Sequence, residues 1–113
     1  MGAIGIAAGA FGAHLLRDHV PPHDLEIWRT GTLYLMVHAL ALLALGLSTR
    51  RWSTARRRAA SLWIGGSLLF AGTLYAMVLG GPRWLGAITP LGGIALISGW
   101  IAMAVSACDS RDR

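Results

Sequence analysis

The sequence predicts an all-α protein built as a four-helix transmembrane bundle, and three observations predict it. Hydrophobic residues make up 55% of the 113 positions and charged residues only 13%, too apolar a mixture for a water-soluble domain of this length. The apolar residues fall into four runs, about 2–16, 33–47, 59–80 and 90–107, and none of the four holds an Asp, Glu or Arg. Within the runs Leu, Ala and Gly dominate without the period-two alternation of a strand, and a membrane barrel needs many more segments of about ten residues each. Residues 1–113 are therefore expected to form a single integral membrane domain.

Each element has its own justification. The first run, Gly2 to Leu16, has no basic residue ahead of it and no small-x-small cleavage site, so it is expected to stay as a helix and not to act as a signal peptide. It is short against the roughly 20 residues needed to cross the hydrocarbon, which predicts thinning, tilt, or a true start upstream of Met1. Pro21-Pro22 breaks the chain after it. The second span, Leu33 to Leu47, is extended back to about residue 24, where Asp24 is placed to cap a helix running through Leu25, Ile27 and Trp28. The third, Ala59 to Gly80, spans comfortably and ends at Gly80-Gly81-Pro82. The fourth is expected to open with Thr89 as N-cap and Pro90 in its first turn.

Charge sets the orientation. Ten basic residues face five acidic ones, every basic residue is Arg, and five of them cluster at Arg50, Arg51, Arg56, Arg57 and Arg58 between two apolar runs. Four spans place that loop on the same side as Arg111 and Arg113, leaving Arg17, Arg29 and Arg83 on the other, so both termini are expected in the cytoplasm. A basic loop next to a membrane meets anionic lipid, and no basic face remains for nucleic acid. Trp52, Trp63 and Trp84 lie near the predicted span ends and are expected to anchor at headgroup level. The single Cys108 excludes an intrachain disulfide.

Inside lipid, helices associate through close packing, which small residues permit. Gly5, Gly9 and Ala13 recur every four residues on the first span, as do Ala95 and Gly99 on the fourth, and both series are expected to be packing faces. The polar residues are more informative, because a group that hydrogen-bonds does not face lipid unsatisfied. Alternating span directions bring His14, Tyr34, His38, Thr73, Tyr75 and Thr89 toward one leaflet, predicting a polar outer half and a nearly dry inner half. On the second span Glu26, Thr30, Tyr34 and His38 recur every four residues and make a stripe.

Two readings of the histidines stand side by side. In one, His14 and His38 meet and hold a metal ion or haem iron, or relay protons with Tyr34; His14, Tyr34, His38, Tyr75 and Thr89 then form a site for haem, metal or a quinone-like ligand. In the other, each imidazole bonds a carbonyl or hydroxyl on a neighbouring helix and fixes register, since two His without a carboxylate or thiolate partner are an incomplete zinc set. His19 and His23 beside Asp18 and Asp24 are expected to be a solvated loop. Transport by ion coupling is disfavoured by spans without an ionisable carboxylate or Arg, and no nucleophile elbow, phosphate-cradling loop or carboxylate pair supports an enzyme.

Four segments in order, GAFGAH (Gly9 to His14), YLMVHALALL (Tyr34 to Leu43), LFAGTLY (Leu69 to Tyr75) and ITPLGGIALISGW (Ile88 to Trp100), resemble the domain-of-unknown-function 423 family, also called uncharacterised protein family 0382. The resemblance runs from about Gly5 to Ala107 and implies a small four-span protein of bacterial inner membranes, with mitochondrial relatives. The family's characteristic positions fall on Gly9, Gly12, His14, Tyr34, His38 and Gly72, and then on Tyr75, Thr89, Pro90, Gly92, Gly93 and Trp100. Gly72, Gly92 and Gly93 thereby join Gly5, Gly9, Ala13 and Gly99 as expected packing positions. Two departures stand out: Leu15 where the family has Gly after the motif histidine, and fewer residues ahead of the first motif. The resemblance implies no activity. The expectation is a small accessory or structural component of the bilayer, partnered by lipid and by other membrane proteins or its own copies.

Overall fold

The first helix, α1, is α-helical over Gly2–Phe11 and widens into a π-helical turn over Gly12–Leu16. It is followed by α2 (Pro22–Leu47), α3 (Thr54–Val78) and α4 (Leu85–Asp109) in a computed structural model that describes residues 1–109. Every regular element among the described residues is helical, as expected. The longer three are each apolar and long enough to cross a membrane, whereas Gly2–Leu16 is a shorter apolar helix. At about 1.5 Å per residue it reaches roughly 22 Å, against a hydrocarbon core of about 30 Å.

The helix ends depart from the hydropathy boundaries for identifiable reasons. α2 begins at Pro22, whose fixed φ suits a first helical position. Asp24 therefore sits inside the first turn and caps nothing; its carboxylate lies 3.8 Å from the Arg83 guanidinium in the α3–α4 turn. α3 begins at Thr54 because the Ser53 hydroxyl accepts the Arg56 backbone N–H at 3.2 Å, a side-chain N-cap. Arg56, Arg57 and Arg58 are thus helical, not part of a loop. α4 begins at Leu85, a full turn before the expected start, so Thr89 is no N-cap. Pro90 lies within the helix and leaves the Gly86 carbonyl without its usual N–H donor. Arg111 and Arg113, used in the charge count, lie outside the described residues.

Short connections make successive helices antiparallel neighbours. α1 packs on α2, α2 on α3, and α3 on α4, with no direct backbone approach of α1 to α3 or α4. The result is an open row only 15 Å through its thinnest dimension. Gly5, Gly9 and Gly12 meet Met36, Thr32 and Trp28 in turn, which fixes the register of α1 along the first two-thirds of α2.

The α3–α4 seam is the tightest. A Cβ at Gly92 would stand 2.7 Å from the backbone nitrogen of Phe70, and one at Gly99 would stand 2.6 Å from the Trp63 ring. Only a bare backbone permits both approaches, and Leu96 packs between them at 2% exposure. The other expected packing positions differ. A Cβ at Gly93 would come no nearer than 3.9 Å to the Phe70 ring, one at Gly72 would meet nothing within 4 Å, and Ala13 is exposed. Gly72 and Ala13 point away from the seams, while Gly66, which small-residue spacing did not single out, is buried against Leu96 and Gly92.

Outward faces carry Ile6, Leu33, Leu40, Leu68, Ile94 and Ile101, all more than half exposed, as befits helices whose solvent is lipid. Trp52 and Trp84 are exposed near the row's two ends. Trp63 is not an anchor; it is 2% exposed, filling the space left by Gly99.

Candidate functional site

The polar residues expected to form one cluster are distributed over three levels of the row. The first lies where α1, α2 and α3 meet. Trp28, absent from the expected site, is 5% exposed and donates from its indole nitrogen to the Ala8 carbonyl at 2.7 Å, pinning α1 to α2. Its ring packs on Phe11 at 5.5 Å and on Tyr75 at 4.2 Å. Thr32 Oγ1 donates to the Trp28 carbonyl at 3.0 Å, so the 2.9 Å contact between Thr32 and Tyr75 has the Tyr75 hydroxyl as donor. Tyr75 is thus a tie between α3 and α2.

The second tie joins α3 to α4. Thr73 and Thr89 hydroxyls lie 2.7 Å apart, both buried, and each also reaches a carbonyl of its own helix, Thr73 to Leu69 at 2.8 Å and Thr89 to Leu85 at 3.2 Å. One hydroxyl donates across the seam and the other to its own helix, so both are satisfied in a place without water.

The third level is built on His38. The buried stripe of α2 is Leu25, Trp28, Gly31, Leu35, His38 and Leu45, a helical period of three and four. A four-residue repeat drifts about 40° per step, which is why Glu26, Thr30 and Tyr34 are exposed while His38, last in that series, is 3% exposed. Its Nδ1 lies 2.7 Å from the Tyr34 carbonyl, and its Nε2 accepts the Trp100 indole N–H at 3.1 Å. A carbonyl only accepts and an indole only donates, so the imidazole carries its proton on Nδ1 and its one lone pair is taken by Trp100. The ring lies among Tyr34, Trp63 and Trp100, with centroids at 6.4, 6.2 and 6.0 Å. Trp63 and Trp100 themselves contact at 4.7 Å, and Tyr34 leans on Phe70 at 4.6 Å. His38 links α2 to α4 beside Trp63 of α3.

His14 takes no part in this. It lies exposed in the π-helical turn next to Gly12, which packs on Trp28. His38 is ten residues further along α2, about 15 Å of helix. A metal or haem site shared by His14 and His38 is therefore contradicted by the antiparallel register, and His38 has no free lone pair to offer. Among the described residues no group of three His, Cys, Asp or Glu gathers elsewhere. His19 bonds the Leu15 carbonyl at 2.7 Å and is exposed, as is His23.

The predicted polar outer half and dry inner half also need correction. His38 is closer to the arginine-rich end of α2 than to its start, and that end holds buried Arg56, whose Nη2 donates to the Leu45 carbonyl at 3.3 Å. There too the Ser53 and Ser106 hydroxyls lie 3.4 Å apart. Hydropathy located the lipid but not the helical starts that carry these groups inward.

The residues that build the three ties lie within or just beyond a segment shared with known proteins. Residues 8–93 match the family described as "Protein of unknown function (DUF423)". The chain belongs to the DUF423 family. A UPF0382 membrane protein of Staphylococcus aureus is 39% identical over 103 residues, covering 91% of this chain and 84% of the relative. The UPF0382 membrane protein YwdK of Bacillus subtilis is 39% identical over 106 residues, covering 92% and 86%. One from Schizosaccharomyces pombe is 38% identical over 114 residues, covering 92% of each, so the DUF423 likeness extends beyond bacteria. No solved structure matches the chain. The relatives are named as membrane proteins, in agreement with the long apolar helices of this chain.

Proposed function

We propose that this DUF423 protein is a non-catalytic accessory component of the bilayer, an inner-membrane scaffold that joins other membrane proteins or its own copies. The observation that carries this reading is the use to which the buried polar groups are put. The His38–Trp100, Thr73–Thr89, Tyr75–Thr32 and Trp28–Ala8 bonds each link two helices. No imidazole lone pair among them faces an open cavity, so the polar chemistry of the core serves shape. The shape is an open row, whose two broad apolar faces remain for lipid and neighbouring proteins. In this reading both termini and the Arg50–Arg58 segment face the cytoplasm, because clustered Arg resists translocation.

The test is deletion of the gene together with affinity capture of the tagged chain from a mild detergent. The reading expects one membrane assembly to be recovered in fixed stoichiometry and to shrink or fall in abundance on deletion. Recovery of this chain alone, with every membrane assembly unchanged on deletion, would contradict it.

A further inference from the structure

A cleft of about 1200 Å³ opens at the arginine-rich end, between the last turns of α2 and α4 with the start of α3 as its floor. Drug-sized ligands occupy pockets of about 300–1,000 Å³, so this space exceeds what an inorganic anion needs. Its lining divides by polarity: Ala41, Ala44 and Met103 along the helices, and Arg50, Arg51 and Arg56 at the end. No Asp or Glu lines it among the described residues.

Arg56 is the anomaly. Arg57 and Arg58, beside it on α3, are exposed, as arginines at a membrane surface should be. Arg56 instead turns inward to 6% exposure, reaching one neutral carbonyl, that of Leu45, while its Nε is buried without a partner among the described residues. The two ion pairs among the described residues, Arg17–Asp18 and Arg83–Asp24, lie at the far end of the row. A guanidinium buried without a counter-charge is costly, and a place in the first turn of a helix adds the wrong end of the dipole. An anion in the cleft answers both, and apolar walls beside the guanidinium call for an anion with a hydrocarbon body.

We propose that the cleft holds one anionic phospholipid from the arginine-side leaflet, its phosphate on Arg56 with Arg51, and an acyl chain along Ala41, Ala44 and Met103. The inference needs only that the chain resides in a bilayer and is independent of which proteins it joins.

The experiment is native mass spectrometry of the full chain released from micelles containing equal phosphatidylglycerol and phosphatidylcholine. The expected result is a single phosphatidylglycerol adduct retained in preference to phosphatidylcholine. Losing a charge-assisted bond should lower that retention about tenfold in Arg56→Gln, whereas Arg57→Gln and Arg58→Gln, outside the cleft, should keep it. Ala44→Phe places a ring in the acyl path from an exposed position of α2, so it leaves folding intact and should also release the lipid. Retention unchanged in Ala44→Phe, or falling equally with any Arg removed, would mean surface charge alone and overturn the proposal. So would equal displacement by glycerol phosphate, which lacks the acyl chains. Should Arg56→Gln fail to fold, Ala44→Phe decides.

Discussion

Replacing Gly92 by Ala should weaken the protein while the same change at Gly72, on the other helix of the same seam, should not. A Cβ at position 92 would meet the Phe70 nitrogen at 2.7 Å and its Cα and Cβ at 2.9 Å. Two of these are backbone atoms, so no rotamer change relieves the contact. Non-bonded carbon atoms rest at about 3.5–4.0 Å, so α3 and α4 must part by about 1 Å. Overpacking of this kind costs about 1–3 kcal/mol, against which Ala regains up to about 1 kcal/mol of helix propensity. With the full propensity gain, the net expectation for Gly92→Ala is a loss of up to about 2 kcal/mol. At Gly72 nothing lies within 4 Å of the added methyl, so only the propensity remains and stability should hold or rise by up to about 1 kcal/mol. Unfolding in mixed micelles with increasing sodium dodecyl sulfate, followed by tryptophan fluorescence, reads both variants on one scale. Equal midpoints for the two would refute the close α3–α4 seam.

Other predictions follow from the buried polar groups. A double-mutant cycle between His38→Ala and Trp100→Phe should show a coupling of about 0.6–1.7 kcal/mol, the range for hydrogen bonds inside membrane proteins, and strict additivity would mean that the bond is not made. Ser67 is fully buried and its hydroxyl has no partner among the described residues, so Ser67→Ala should raise the unfolding free energy by about 1 kcal/mol; a lower value would reveal a partner for that hydroxyl.

The four helices were legible in the sequence because apolar runs report where lipid lies. Their ends were not, because a helix continues past the hydrocarbon wherever a cap or a proline allows: Ser53 starts α3 ahead of three arginines, and Pro90 sits a turn inside α4. Facing relations were also out of reach. Gly66 and Gly72 look alike along the chain, yet one is pressed against α4 and the other opens on space. Trp63 stands near a span end, as an interfacial anchor would, and only its position opposite Gly99 reveals a core residue. His14 and His38 share an approximate leaflet when spans are counted alone. The antiparallel register of α1 on α2, set by Gly12 against Trp28, separates them. The reading in which each histidine bonds a carbonyl or hydroxyl of a neighbouring helix names neither partner of His38, a carbonyl of its own helix and an indole two helices away, and neither carried a sequence signal.

His38 fastens α2 to α4 with both ring nitrogens bonded, and nitrogen-15 NMR of histidine-labelled protein in bilayers measures that directly. The neutral imidazole with its proton on Nδ1 and an accepting Nε2, unmoved by added haem or divalent metal and altered by Trp100→Phe, is the predicted spectrum. A proton on Nε2, or resonances that shift stoichiometrically with haem or metal, would contradict it.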